Sequence, residues 1–203
     1  NIYVSMNVDR LLQLLKGVLK DHMWEWMVDF LKDLYGAEKA LEVIKEQFFA
    51  LPRFSYICQF GNKLTQVKQW TSSEYKDMLK VWLAALAPLF KGHPNYFKFL
   101  TSVTDFILVA GYHSHTDSTL RYLQNVLHSI SRIIHLFLPY RHNQSISKIP
   151  KIHCLFHYIE CIKKIGSTDN SDTDVSDAAH NNLIKDSYRA SNKVDYIPQM
   201  LQW

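Results

Sequence analysis

Glycine and proline are scarce in this chain, six of each among 203 residues. Long apolar segments with so little turn punctuation favour helices over the many short strands of a sandwich or barrel. Cysteine is equally thin. Cys58, Cys154 and Cys161 form no CxxC pair, and an odd number cannot all pair within one chain. That excludes a disulfide scaffold and a cysteine-built zinc cluster, and it fits a reducing, intracellular compartment, nuclear or cytoplasmic. No apolar stretch reaches the roughly 18 residues of a membrane span, so the sequence reads as soluble and without membrane contact. The opening NIYVSMNVDR lacks the basic start and apolar run of a signal peptide. It begins with Asn, which points to processing or to a piece cut from something longer. There is no P-loop, no GxGxxG and no GxSxG turn, so no cofactor is required and covalent serine catalysis has no support.

What remains is a chain rich in core material. Hydrophobic residues make up 47% and aromatic residues 13%, enough for one packed domain of this length and too much for a disordered one. The formal net charge is +4, from 23 Lys and Arg against 19 Asp and Glu. That excess is compatible with nucleic acid but does not by itself predict it. Ten histidines can add positive charge below about pH 6.5.

The apolar periodicity predicts an all-α, multi-helix single domain. Leu11, Leu14, Leu15, Val18, Leu19, Met23, Met27, Phe30, Leu31 and Leu34 carry the spacing of one amphipathic helix that ends near Gly36. A second helix runs over 37–51 and stops at Pro52, and 53–69 reads as a loop or small hairpin. Thr71 and Glu74 form a capping-box pair ahead of a helix with Met78, Trp82, Ala85, Leu86 and Leu89 on one face. Pro88 should kink or end that helix. Helices follow over 95–110, 116–138 and 151–165, the last stopped by Gly166. The polar, acidic stretch 167–176 is expected to be the mobile part of the chain. A last helix covers 177–190, before a tail with Pro198 and Trp203. Residues 2–4 are β-prone. Trp24 and Trp26, two apart on one helix, should not both face inward, which would leave one as a contact surface.

Several residues invite chemical readings. His153 and His157 stand four apart on a predicted helix, so they share a face and can both ligate zinc. The metalloprotease Glu is missing from HCLFH, and a packed or hydrogen-bonded pair is the other reading. His113 and His115 flank a helix start, where capping or surface exposure suffices. Lys148, Lys151, Lys163 and Lys164, with Lys185, Arg189 and Lys193 at the last helix, form two loose basic groups. They read either as phosphate contacts, Tyr188 and Tyr196 being nearby, or as ordinary helix-surface charge.

Two blocks carry a resemblance. Residues 7–22 read NVDRLLQLLKGVLKDH, and residues 173–180 read TDVSDAAH; between them stand IPKIH and, at the end, KDSYRASNKVDYIPQMLQW. Together these resemble the C-terminal part of fungal Plavaka-type cut-and-paste DNA transposases of the KDZ and CACTA-like group. Their catalytic domain resembles ribonuclease H. The resemblance implies that residues 1–9 are a strand remnant of that sheet, 10–165 a large helical insertion, 166–176 an acidic loop, and 177–203 the terminal helix and tail. It places a metal-binding catalytic carboxylate at Asp9 and another at Asp174 or Asp177, with Mg²⁺ as the ion that Asp9 and Asp174 would hold. Each also has a plainer reading, Asp9 as a solvated helix-start residue, Asp174 as an N-cap and Asp177 as a favourable first-turn acid. The family has Glu where Asp174 and Asp177 stand, a His where Leu12 stands, and an apolar pair where Ala179 and Asn181 flank His180. Its first catalytic Asp would lie upstream of residue 1. The expected function is a transposase-derived helical domain, inactive alone, that binds DNA, a protein partner or an upstream ribonuclease-H-like half. The alternatives are a helical ligand- or partner-binding protein with a new role, and a residual divalent-metal nuclease.

Overall fold

A computed structural model describes residues 8–61, 64, 70–141 and 148–203. The expected strand at residues 2–4 lies outside the described residues. Among those described there is no strand, and the chain is an assembly of helices around one core.

Helix α1 (Arg10–Trp24) is wound with the wide hydrogen bonding of a π-helix and continues directly into α2 (Glu25–Tyr35). The sequence suggests why the wide turn suits this segment. Leu11, Leu15, Leu19 and Met23 repeat strictly every four residues, and all are at most 4% exposed. At 3.6 residues per turn such a repeat drifts by about 40° each step. A looser winding keeps the row on one line. That line is the hub of the fold: α1 packs against α4 (Ser72–Leu86), α5 (Pro94–Ala110) and α7 (Pro150–Cys154).

The remaining elements cover the hub. Gly36, at φ 89°, turns the chain from α2 into α3 (Ala37–Ala50), a backbone conformation open to glycine at little cost. The Thr71–Glu74 capping box forms as the sequence predicts, with Thr71 accepting from the Glu74 amide and Glu74 from the Thr71 amide. α4 ends in a 3-10 turn (Ala87–Phe90) that contains Pro88. α5 pairs with α6 (Asp117–Ile133), then two short 3-10 turns (Ile134–Phe137 and Pro139–Arg141) lead away. α7 passes through a 3-10 turn (Leu155–His157) into α8 (Tyr158–Ile165), which Gly166 closes. After a further turn (Thr168–Asn170) come α9 (Asp174–His180), a π-type segment (Asn181–Asp186), α10 (Ser187–Ala190) and α11 (Tyr196–Met200).

Two expectations are corrected. Trp24 and Trp26 are both buried, each 5% exposed, because this junction of α1 and α2 is covered on two sides. Trp24 meets Phe48 and Trp70 edge-on, while Trp26 stacks on Phe137. The acidic stretch 167–176 is not a loose polar loop. Thr168 is fully buried and donates to the Ala110 carbonyl at 3.0 Å, and Ser171 donates to the Val8 carbonyl.

The core is dense in rings, and of its indole donors Trp82 is paired while the buried Trp70 Nε1 has no hydrogen-bond partner among the described residues. Phe30 stacks between Phe90 and Tyr96, at centroid distances of 5.4 and 4.1 Å. Fully buried Trp82 donates from Nε1 to Thr104 Oγ1 at 3.1 Å, and that hydroxyl donates to the Leu100 carbonyl at 2.8 Å, so α4 and α5 are locked without an orphan donor. Leu15→Ala should therefore lower unfolding free energy by about 2–5 kcal/mol, the range for truncating a leucine in a core that cannot collapse. Thr71→Ala, which removes only a cap, should cost about 1 kcal/mol. Urea denaturation followed by circular dichroism checks both, and equal losses would show that α1 is not the hub.

Candidate functional site

The first turn of α1 and the stretch before α9 come together although they lie at opposite ends of the chain. Asp9 is the N-cap of α1, its Oδ1 accepting from the Leu12 amide at 3.0 Å. Its Oδ2 accepts from Thr173 Oγ1 at 2.9 Å, and its carbonyl from the phenol of Tyr158 at 3.1 Å. Asp9 is 8% exposed, so it is not the solvated helix-start residue of the plainer reading. Asp172 Oδ1 accepts from the Leu11 amide and from the Asp174 amide, each at 3.2 Å. Asp174 receives Ser72 Oγ on one oxygen and Lys76 Nζ on the other, which ties the start of α9 to α4. Asp174 is thus the first residue of its helix and not its N-cap. Asp177 lies on α9; its side chain lies outside what the structure describes.

The three described carboxylates differ in electrostatic setting. Burial, the largest influence on Asp174, works to raise its pKa. The Lys76 and Ser72 donors and the nearby Lys76 and Arg10 charges outweigh it and hold the carboxyl below its usual range. Asp172 goes the other way. Burial pushes it up, assisted by the negative Asp9 and Asp174, and the two backbone donors offset only part of that. Tyr158 is raised well above the ordinary phenol value by burial first and by Asp9 second, so it remains a neutral donor. Arg10 lies over Gly111, where a Cβ would sit 2.6 Å from the guanidinium Nε. A side chain there would oblige the guanidinium to shift.

The motifs that carry the resemblance also meet one another. Lys151 of IPKIH lies across Gly17, where a Cβ would come within 2.1 Å of its Cδ, and its ammonium pairs with Asp21 at 3.1 Å. Lys151, a candidate DNA contact, is thereby partly committed inside the fold. Arg189 is likewise paired, with Asp186 at 3.0 Å. Lys148, Lys163, Lys164, Lys185 and Lys193 are exposed. Among these, Lys185 lines the cleft that opens beside the acidic junction. That cleft, of about 690 Å³, has Lys16, Lys76 and Lys185 on its walls, with Trp70, Ser72, Ser73 and Asn181. Lys76 is held by Asp174, while among the described residues Lys16 and Lys185 have no ion pair. Sequence reading missed Asp172, Lys16 and Lys76. Asp172 stands in the same acidic run as Asp174, and Lys16 in the quoted LLKG block; Lys76 has no local signal.

Both oxygens of Asp9 and of Asp174 face protein donors. Among the described residues no group of three His, Cys, Asp or Glu side chains is placed to hold a metal ion. An Mg²⁺ ion bridging Asp9 and Asp174 would compete with Lys76 Nζ and Thr173 Oγ1 for these oxygens. His153 and His157 do come together, Nε2 to Nε2 at 3.2 Å. His113 pairs with Asp169, and His115 stacks on Tyr112. No helix among the described residues is long and apolar enough to cross a membrane. Comparison with protein-family models, with curated proteins and with solved structures gives no match.

The electrostatics give a direct test. Because the Asp174 pKa is depressed in the folded state, its stabilising contribution is present above the ordinary carboxylate value of about 3.9 and is lost as pH falls through the lower folded value. Lys76→Met removes the main opposing donor and should move the Asp174 pKa upward, narrowing that window. Carboxyl-carbon NMR titration reads the shift; an unmoved Asp174 would mean that the ion pair does not persist in solution.

Proposed function

We propose that this chain is a transposase-derived, all-helical domain that binds nucleic acid through the lysine-lined cleft beside its acidic junction and does not cleave it alone. One observation carries the reading. The two blocks that resemble the Plavaka-type transposases, 7–22 and 173–180, are joined through Asp9 and Thr173, and Asp172, the residue just before the second block, accepts from the Leu11 amide of the first. An insertion that leaves and returns to one catalytic edge requires such a junction. The cleft adds the means of binding: the Lys16 and Lys185 ammonium groups on its walls attract phosphates. Mg²⁺ chemistry ranks below binding because an ion would have to compete with the protein donors that already bond the Asp9 and Asp174 oxygens.

A second reading, a protein partner, draws on the C-terminal surface. Leu183, Ile197, Leu201 and Trp203 are each more than 60% exposed, an apolar stretch of the kind that marks contact surfaces. An upstream ribonuclease-H-like half is one such partner.

Fluorescence anisotropy on a short duplex and on single strands, over a salt series, tests the binding. Affinity should fall steeply with salt. Lys16→Gln and Lys185→Gln should each weaken binding across all sequences and flatten the log–log salt slope by roughly 1. Lys39→Gln on the exposed face of α3 should change neither. In plasmid nicking with Mg²⁺ or Mn²⁺ the chain should leave the DNA intact. Nicking that disappears in Asp9→Ala would promote the nuclease reading, and salt-independent or absent DNA binding would favour the partner reading.

A further inference from the structure

The segment from α7 into α8 holds its two histidines in an unusual relation. Ile152, Leu155 and Tyr158 are each at most 1% exposed and fix the backbone on both sides of the intervening 3-10 turn. His153 and His157 remain half-buried, within reach of solvent. Their Nε2 atoms face each other at 3.2 Å, and the ring centroids are 5.0 Å apart with the planes at 71°. A tetrahedral Zn²⁺ with Zn–N bonds of about 2.0–2.1 Å holds two nitrogens roughly 3.3 Å apart. Two imidazoles aimed at it through Nε2 have centroids about 5 Å apart. The observed pair matches both separations before any ion arrives.

We infer that His153 and His157 form a two-histidine site for a divalent, imidazole-preferring transition ion, with Zn²⁺ as the representative case. The chemistry is simple. The two Nε2 lone pairs become ligands, the ring that donates in the hydrogen bond passes that proton through water to its own Nδ1 so that both imidazoles stay neutral, and water completes the coordination. Selection against Mg²⁺ and Ca²⁺ follows from the nitrogen donors, which hard oxygen-seeking ions disfavour. The burial of Ile152, Leu155 and Tyr158 lowers the entropic cost, because the segment has little freedom left to lose. No side chain of the acidic junction is a ligand here, and the assignment does not depend on the nucleic-acid reading.

The experiment uses the full chain without an affinity tag, stripped of metal by a chelator and titrated with ZnCl₂ in a calorimeter. One ion should bind per chain. His153→Ala and His157→Ala should each weaken binding by more than about tenfold, since one of two protein ligands is lost, while Cys154→Ser should leave it unchanged. X-ray absorption on the wild-type zinc complex should show a nitrogen and oxygen shell with imidazole scattering, a readout that holds even if a histidine variant fails to fold. No binding, sulfur in the shell, or undiminished binding by a folded His153→Ala, His157→Ala double variant would overturn the assignment.

Discussion

A buried helix start has amide groups that need acceptors, and α1 obtains one of them from the far end of the chain. Leu12 N–H is satisfied by the side chain of Asp9 and Gln13 N–H by its carbonyl, but Leu11 N–H goes to Asp172. Because α1 is also the helix against which α4, α5 and α7 pack, its first turn cannot be left to water without disturbing the hub. The acidic stretch is thus held in place by backbone chemistry as much as by its charges. The positions of Asp174, Ser72 and Lys76, and the cleft they border, follow from that attachment.

The same attachment explains how carboxylates so close together can coexist. Each is given donors of a different kind: a hydroxyl and an amide for Asp9, two amides for Asp172, an ammonium and a hydroxyl for Asp174. A carboxylate surrounded by donors keeps its charge at modest cost, whereas one facing only other carboxylates would take up a proton. The upward displacement of Asp172 and the downward displacement of Asp174 mark where that compensation is weakest and strongest. As it stands the junction is a structural clasp.

Local signals in the sequence were reliable. The helical class, the Thr71–Glu74 capping box, the stops at Gly36 and Gly166 and the turn at Pro88 all depend on residues within a few positions of one another, and the structure has each of them. Properties set by distant partners were not legible. Trp24 and Trp26 point to different sides, but which sides are covered depends on Phe48, Trp70 and Phe137. Residues 167–176 have the composition of a mobile loop, yet Ala110, Val8 and Leu11 supply its partners. Lys76 carries no motif at all and is recruited only because α4 passes beside α9. The wide winding of α1 was present as a strict four-residue repeat, a pattern that ordinary helical periodicity absorbs without notice.

The hydrogen bond from Leu11 to Asp172 spans 161 residues, and that span has a meaning during synthesis. A ribosome adding about 5–20 residues per second emits α1 on the order of 10–30 s before the segment that caps it exists. For that interval the row of Leu11, Leu15, Leu19 and Met23 is present without its full cover. The nascent chain therefore depends on α4 and α5, the first of its packing partners to be made, closing over part of the row, or on a chaperone shielding it. Truncation before Asp172 would release a polypeptide whose central helix has lost its long-range acceptor, a natural substrate for quality control.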